Sequence, residues 1–404
     1  YAARTGMATS VGQRLWAKAL AFGALPGGNH ARVVVTVDNC GVSARVVEEV
    51  AARLSNVGLR RECFAVASSH THSGPMVRGF AENIFVRDLT SDEAAASDRY
   101  TRELTDALER VVLAALKNTQ PGTLSVGRGT VGFAANRRTA AGPVDHSLPL
   151  LVARDAAGRM QAVLANYACH CTTLGHQVNG HHGDWAGFAQ EAIETDHPGS
   201  TAMISIGCGA DANPSPRGGE DFGMALARAH GRALADAAGK VLAGPLEPLP
   251  PTCEGRLARL SLSFAPLPER AEWERRAREE GIVGYHARKN LARLDRGETL
   301  PTTLAYPVQT WAFGDRLAMV FLAGEVVVDY AIRLREALDP ARLWITAYAN
   351  DVPCYIPSRR ILAEGGYEAE TSLWYYDRPA RLVPATEDQI VAEVVAQLGG
   401  RFQR

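Results

Sequence analysis

Apolar runs that end in polar, metal-binding side chains recur along this chain. The run Cys63 to Ala67 has the composition of a buried strand, and two histidines, His70 and His72, follow it before a Gly-Pro pair ends the element. If the strand extends to the histidines, alternation places both imidazoles on one face. The pattern predicts a pair of metal-binding imidazoles at a strand end, and the alternative is two surface histidines.

Other apolar runs end in the same way. Residues 163–175 contain His170 after a strand-like run, residues 318–325 end in Glu325, and residues 343–350 lead to Asp351 and Tyr355. Ligands gather where the strands of α/β proteins end, so these side chains are expected to meet. Two histidines and one glutamate form a common catalytic zinc set that leaves a position for water.

The segments between these runs predict helices and further strands. Predicted helices cover Ser43 to Leu54, with Ser43 as N-cap, and Ser91 to Lys117, Val327 to Leu338 and Thr386 to Leu398. Residues 14–22 and 31–38 predict two strands joined by a Pro-Gly-Gly turn. The fold class that follows is α/β, with a mixed, largely buried sheet flanked by helices.

Composition narrows the range of partners. The chain has 404 residues, of which 46% are hydrophobic, and a formal net charge of −1. A large core is therefore expected, and nothing favours nucleic acid or an anionic membrane as a partner. No apolar run reaches the length of a transmembrane helix. The seven cysteines are scattered and odd in number, which argues against a disulfide framework.

An ordered set of motifs carries a family resemblance. The motifs are Ser-His-Thr-His-Ser-Gly-Pro at 69–75, Asn-Tyr-Ala-Cys-His-Cys-Thr-Thr at 166–173, Gly-Asp-Trp-Ala-Gly at 183–187, Gly324-Glu325, and Tyr355 followed twelve residues later by Tyr367-Glu368. This set resembles the N-terminal catalytic domain of the neutral/alkaline non-lysosomal ceramidase family. Members of that family are zinc-dependent amidases that hydrolyse N-acyl amides.

The resemblance implies a site and a reaction. The implied function is a zinc-dependent amidohydrolase that cleaves an N-acyl amide with a zinc-activated water, and the small-molecule amide is the expected partner. The alternatives are a zinc esterase, lactonase or peptidase on the same scaffold, and a non-catalytic member that binds a ligand. The implied residues are His70, His170, Glu325 and Tyr355 as ligands of one Zn²⁺, and His72, Arg137 and Tyr367 around the carbonyl oxygen and the leaving group.

One loop departs from the family. Ceramidases carry Gly-Asp-x-Ser-Pro-Asn there, and counting from Gly209 places the family serine at Ala212. Ser215 lies three residues further on without a clear base, so the sequence favours water over serine as the nucleophile. His176, His181 and His182 are interpreted as loop histidines near the pocket mouth.

The resemblance also bears on domain organisation and substrate. We expect one catalytic domain over residues 1–404, with a charged helical excursion at about 268–298 and without the family's C-terminal β-sandwich domain. Polar loops near the site favour a smaller, more soluble N-acyl amide over ceramide. The chain begins at Tyr1, so we expect residues before it to be missing, and a family-like location would be secreted or periplasmic. The acyl chain, the amine and the oligomeric state stay open.

Overall fold

The strands of the computed structural model lie in the described residues, which are residue 4 and residues 6–23, 31–218 and 222–404. The strands are β1 (Ser10–Val11), β2 (Ala17–Phe22), β3 (Arg32–Val37), β4 (Phe64–Ser68), β5 (Gly122–Thr130), β6 (Ala134–Asn136), β7 (Ser147–Asp155), β8 (Met160–Tyr167), β9 (Gly180–His181), β10 (Thr201–Ile206), β11 (Ala212–Pro214), β12 (Glu247–Pro248), β13 (Glu254–Ser263), β14 (Thr303–Phe313), β15 (Leu317–Leu322), β16 (Glu325–Val326), β17 (Leu343–Thr346) and β18 (Tyr355–Ile356). The predicted Pro-Gly-Gly turn lies outside the described residues.

The α-helices of the described residues alternate with these strands. They are α1 (Ala44–Ser55), α2 (Ser91–Lys117), α3 (Asp184–Asp196), α4 (Gly223–Ala243), α5 (Arg270–Arg276), α6 (Gly281–Asp295), α7 (Val328–Ala337), α8 (Arg359–Glu364) and α9 (Ala385–Leu398). Across the described part of the chain, no helix combines the length and apolarity that a membrane crossing requires.

The strands form several sheets that mix parallel and antiparallel pairs. The largest has the order β10-β8-β7-β5-β12, in which β8 and β10 are parallel. A second sheet has the order β13-β14-β15-β17 and a third the order β2-β3-β4, with parallel pairs β15/β17 and β3/β4. Strands β3, β4, β10 and β15 are almost wholly buried. The predicted α/β class with mixed, largely buried sheets is confirmed.

The core lies between the two larger sheets and the helices around them. Its largest cluster joins apolar side chains of β7, β8 and β10 to those of β15 and β17 and to α3, α4, α7 and α9. All seven cysteines are free thiols, and Cys169 and Cys171 pack within this cluster. Residues 268–298 carry α5 and α6, whose exposed faces hold several Arg–Glu pairs and whose inner faces pack around the buried Trp273.

The N-terminal capping contacts of α1 and α2 have different origins, one in tertiary packing and the other in local sequence. α2 begins where predicted, and a capping box between Thr90 and Glu93 explains its start. Ser43 is the N-cap residue of α1, but its hydroxyl donates to the Arg78 carbonyl instead of capping the helix. The carboxylate of Asp351 accepts the first helical N–H, that of Ala44, at 2.9 Å. The prediction that Ser43 caps this helix is therefore right in position and wrong in contact.

One short segment fixes the ends of strands from three sheets. Residues 347–350 follow β17 and donate backbone hydrogen bonds to β4, β10 and β15: Asn350 to Val66, Ala347 to Ile206 and Ala349 to Leu322. Tyr348 and Asn350 both adopt positive φ, which lets the segment turn across the strand ends. The carboxyl ends of these strands are therefore held at one place, where the polar side chains that follow them meet.

Candidate active site

Three buried side chains from separate chain segments converge at one point. Glu325 Oε2 lies 3.3 Å from His70 Nε2 and 3.2 Å from His170 Nε2. His70 follows β4, His170 follows β8 and Glu325 begins β16, and all three side chains are almost fully buried. We call these residues the His–His–Glu cluster. The polar side chains that follow these three apolar runs therefore come together, as the sequence predicts.

The backbone at His70 differs from the predicted strand. β4 ends two residues before His70, which adopts a left-handed φ of 58°. Strand alternation therefore does not explain why the rings of His70 and His72 are adjacent, with their Nε2 atoms 3.1 Å apart. The chain turns at His70 instead, and an isolated bridge between Thr71 and Cys171 fixes the residues that follow. The predicted proximity is right, and the reason given for it is wrong.

Backbone carbonyls fix the protonated nitrogen on each imidazole of the cluster. His70 Nδ1 donates to the Cys40 carbonyl at 2.6 Å, and His170 Nδ1 donates to the Gly209 carbonyl at 3.0 Å. Because each Nδ1 carries a proton, the Nε2 atom of each ring is the one that faces Glu325 Oε2, for which the described residues show no hydrogen bond. Three buried acceptor atoms that face one another require a cation between them, either a proton or a metal ion. Two imidazoles and one carboxylate form a ligand set that fits Zn²⁺.

The electrostatics of the cluster agree with this requirement. Burial raises the pKa of Glu325, but His70 and His170 lower it more, to well below its usual range. Burial lowers the pKa of His70, but Cys40 and Glu325 raise it to about 10. Burial, and then the charge of Arg137, lowers the pKa of His170 to about 4. One proton is therefore held between His70 and Glu325, where a metal cation would replace it.

Zinc affinity is expected to rise with pH. Because the pKa of His70 is raised to about 10, its proton is present at neutral pH and must leave when a metal binds. From about pH 6 to about pH 9, the logarithm of the association constant should rise by about one per pH unit. Competition with a chromophoric chelator across this range measures the slope. An affinity independent of pH would contradict the tautomers and the shared proton described above.

Tyr355 reaches the cluster because of strand register. β16 and β18 are parallel, and their register places Tyr355 directly opposite Glu325. The Tyr355 hydroxyl lies 3.3 Å from His170 Nε2 and accepts a hydrogen bond from Arg137 Nη2 at 3.1 Å. Burial raises the pKa of Tyr355 well above its usual value, although the charge of Arg137 opposes this shift. The Tyr355 hydroxyl oxygen thus lies beside the two Nε2 atoms and the carboxylate oxygen of the cluster.

Arg137 connects the cluster to the rest of the site. Its Nε donates to Glu368 at 2.8 Å, and its guanidinium lies 5.5 Å from the ring centroids of both Tyr355 and Tyr367. Arg138 binds the other oxygen of Glu368. The sequence motif contains Glu368 beside Tyr367, but no role for it follows from the sequence alone. The structure shows that Glu368 orients both arginines.

A cavity of about 1030 Å³ opens above the cluster. Five of the seven predicted site residues line it: His72, Arg137, His170, Tyr355 and Tyr367. The other two, His70 and Glu325, belong to the cluster beneath it. The Tyr367 side chain is 43% exposed, and its hydroxyl makes no hydrogen bond to the described residues. The cavity thus gives a small molecule access to His170 and His72.

The three loop histidines have different surroundings. His176 is exposed and lines the cavity. His181 lines a second cavity of about 330 Å³, which shares His72 with the first. His182 is buried, and its Nδ1 accepts the backbone N–H of Asp184 at 2.8 Å. Only His176 therefore lies at the mouth of the main cavity, and His182 stabilises the start of α3.

Comparisons with known proteins establish the family and the fold of this chain. A sequence model of the family described as neutral/alkaline non-lysosomal ceramidase, N-terminal, matches residues 1–215. The chain belongs to this family. The fold is similar to the crystal structure of neutral ceramidase from Pseudomonas aeruginosa, with a TM-score of 0.74, 21% identity, and coverage of 98% of this chain and 71% of that chain. No curated protein matched the sequence.

A second solved structure gives the same result. A ceramidase complexed with C2 is similar with a TM-score of 0.74 and 18% identity, covering 98% of this chain and 72% of that chain. At these identities the two structures establish the fold. The family itself is one of hydrolases that act on amide bonds, and membership rests on the motifs of the first half of the chain.

The structure revises the position of the family serine in this ceramidase-family chain. Counting from Gly209 selects Ala212, but Ala212 is buried and does not line the cavity, whereas Asn213 does. Matching the family motif on Asp211 and Pro214 instead places the serine position at Asn213. This assignment agrees with the geometry, because a nucleophile has to face the cavity. The loop still lacks a serine at the matched position.

Tyr376 is a residue of the site that the sequence analysis missed. Its hydroxyl donates a hydrogen bond to Glu325 Oε1, and its ring is buried. This contact directs Oε2 of the same carboxylate toward His70 and His170. Nothing in the run Trp374-Tyr-Tyr distinguishes Tyr376 from its neighbour, so no local signal could have found it.

Removing the Tyr376 hydroxyl is expected to weaken metal binding without unfolding the protein. In Tyr376→Phe the carboxylate loses the contact that orients it, and zinc affinity should fall by about 10- to 100-fold. Tyr375→Phe is the matched control, because Tyr375 makes no contact with Glu325 among the described residues. Chelator competition gives both affinities. Equal affinities in the two variants would show that the hydrogen bond has no positioning role.

Proposed function

We propose that the protein is a zinc-dependent amidohydrolase that cleaves an N-acyl amide. The observation that carries this proposal is the His–His–Glu cluster, whose two Nε2 atoms and one carboxylate oxygen face one another at the base of a cavity. Membership of a family of amide-bond hydrolases supports the same reaction class. We further propose that residues 1–404 act as a single catalytic domain.

His70, His170 and Glu325 would hold the metal, with Tyr355 as the fourth ligand. A bound Zn²⁺ would lower the pKa of a bound water to near neutral, and the metal itself would polarise a carbonyl oxygen. The chain's own contribution is to orient both imidazoles, through the Cys40 and Gly209 carbonyls, so that each Nε2 atom faces the metal position. These contacts act before the substrate arrives, which is the form of preorganisation that catalysis requires.

His72 would move the proton in the reaction. It lines the cavity beside the cluster, and burial and then the neighbouring His70 and His170 lower its pKa well below the usual value. A neutral imidazole can accept a proton from the attacking water and then donate it to the leaving amine nitrogen. The position of His72, 3.1 Å from His70 and open to the cavity, suits both transfers.

Arg137 and Tyr367 would stabilise the negative charge that develops on the carbonyl oxygen. Arg137 is held rigidly by Glu368 and by two aromatic rings, so its remaining N–H groups point in a fixed direction. The Tyr367 hydroxyl faces the cavity without a partner among the described residues. Donors that are already in place when charge develops lower the barrier more than donors that must move.

Water is the proposed nucleophile. Ser215 is exposed and does not line the cavity, and Asn213 occupies the matched serine position. An amide side chain cannot form an acyl ester, so no covalent acyl-enzyme is proposed. The polar residues of the cavity wall, among them Thr172, Gln177 and Arg217, favour a soluble amide over ceramide.

The test combines metal analysis with matched substrates. The purified protein should contain about one zinc per chain, lose activity on chelation and regain it when Zn²⁺ is added. A panel of N-acyl amides and their matched esters then distinguishes an amidase from an esterase on the same scaffold. Full activity in metal-free protein would refute the zinc proposal. Cleavage of the esters alone would favour the esterase, and the absence of any hydrolysis by the zinc-loaded protein would favour a ligand-binding role.

A further inference from the structure

The charged side chains that line the main cavity are not evenly paired. Arg137 binds Glu368 at 2.8 Å, and Arg138 binds both Glu368 and Glu364, the latter at 3.0 Å. Two arginines therefore face two glutamates, and their formal charges cancel. The remaining arginine of the cavity wall, Arg217, makes no ion pair with a carboxylate among the described residues.

Arg217 lies on the wall that carries His170. The described hydrogen bond of its guanidinium is a long one, from Nη1 to Thr172 Oγ1 at 3.4 Å, and Thr172 follows His170 by two residues. The backbone supports this placement, because the N–H of Gly218 donates to the Thr173 carbonyl at 3.0 Å. Arg217 is therefore fixed to the same segment that positions His170.

Among the described residues, the surroundings of Arg217 are polar and include no carboxylate that pairs with it. Thr172 Oγ1 lies 3.5 Å from Asn213 Oδ1, so a hydroxyl and an amide flank the guanidinium. Partial burial, and then the charge of Arg137, lowers the pKa of Arg217. An arginine nevertheless stays protonated at neutral pH. Within residues 31–218 and 222–404, the cavity thus offers a positive charge without a carboxylate partner together with neutral hydrogen-bonding groups.

We propose that Arg217 binds an anionic group of the substrate, so that the favoured substrate is an N-acyl amide bearing a carboxylate. This inference rests on the proposed amidase function and specifies its substrate class. The planar guanidinium matches a carboxylate with two parallel hydrogen bonds. A neutral two-chain lipid amide offers no group that would use this charge.

The experiment compares substrates that differ only in charge. On the amine side the pair is N-dodecanoylglycine and N-dodecanoylglycinamide, and on the acyl side it is glutaric monoanilide and its terminal primary amide. The zinc-loaded wild type should hydrolyse the charged member of at least one pair with a kcat/KM about 10- to 100-fold higher. In Arg217→Gln that preference should disappear, through loss of activity on the charged member alone. Arg217→Lys should restore part of it, since the charge returns without the planar fork.

A distant arginine provides the matched control. Arg110→Gln removes the same charge from the exposed face of α2, and Arg110 does not line the cavity, so the preference should be unchanged. If the wild type hydrolyses neutral and charged members equally, the inference fails while the amidase proposal stands. If no amide is hydrolysed, the amidase proposal fails. In that case, direct binding of 4-oxopentadecanoate, a ketone isostere of the glycine substrate, to wild type and Arg217→Gln still tests the anion site, and equal affinities would overturn it.

Discussion

His170→Ala is expected to abolish both metal binding and activity. His170 supplies one of the two neutral Nε2 atoms of the His–His–Glu cluster, and its Nδ1 is fixed by the Gly209 carbonyl. Alanine removes one of the two imidazoles and leaves only one strong nitrogen ligand beside Glu325 and the Tyr355 hydroxyl, a set expected to hold zinc too weakly for a stable site. Zinc content should fall from about one per chain to near zero, and kcat/KM should fall by about 10³-fold or more.

The matched control for this prediction is His176→Ala. His176 also lines the cavity but lies at its exposed mouth, away from Glu325, so its loss should leave the zinc content unchanged. Elemental analysis and circular dichroism on both variants separate metal loss from unfolding. Retention of stoichiometric zinc by a folded His170→Ala protein would show that the cluster is not the metal site.

The convergence of the His–His–Glu cluster was predictable because buried strands have a clear sequence signature. An apolar run is conspicuous, and so is a polar residue at its end, so His70, His170 and Glu325 stand out even without a structure. The conformation that brings them together was not predictable. His70 has a left-handed φ, and Gly324, with a φ of 84°, allows the turn before Glu325, where a Cβ would approach the Cys354 carbonyl to 2.7 Å.

The groups that orient the side chains of the site could not be predicted from the sequence either. Tyr376 lies 51 residues after Glu325, in a loop with no periodic pattern, and its role depends on tertiary packing alone. The Cys40 and Gly209 carbonyls belong to the backbone, which carries no residue-specific signal. Arg217 is a further example, because the lack of a carboxylate partner in the part of the chain that the structure describes is a property of the folded wall and not of the residue.

Loop alignment failed for a related reason. The family serine was placed by counting from Gly209, a residue that can occur at many loop positions, and the count selected the buried Ala212. Asp211 is the better reference point, because its carboxylate accepts the backbone N–H of Val328 at 2.9 Å and therefore fixes the loop. Anchoring on a residue with a defined contact moves the assignment to Asn213, which faces the cavity.

Arg137→Gln is expected to lower kcat by about 10²- to 10³-fold while zinc stays bound, since the loss of one preorganised donor to a developing oxyanion has this size. Arg137 contacts Tyr355 and Glu368 and approaches His170 to 3.4 Å, but it is not a member of the metal-binding set. Its removal takes away the fixed positive charge beside the carbonyl site. Glu368 keeps its ion pair with Arg138, so the fold should survive.

Two further variants make this prediction specific to position and geometry. Arg138→Gln removes the same charge from the same carboxylate while leaving Arg137 in place, and it should lower kcat by less than about 10-fold. Arg137→Lys keeps the charge but loses the fork that reaches Glu368 and Tyr355 together, so its kcat should lie between those of the wild type and Arg137→Gln. Measurements of kcat, KM and zinc content for the three variants distinguish a direct catalytic role of Arg137 from a structural one. Equal losses in Arg137→Gln and Arg138→Gln would mean that the Glu368 network acts through stability alone. A donor to the oxyanion has to be the arginine whose guanidinium lies beside the cavity-lining rings of Tyr355 and Tyr367, which is Arg137.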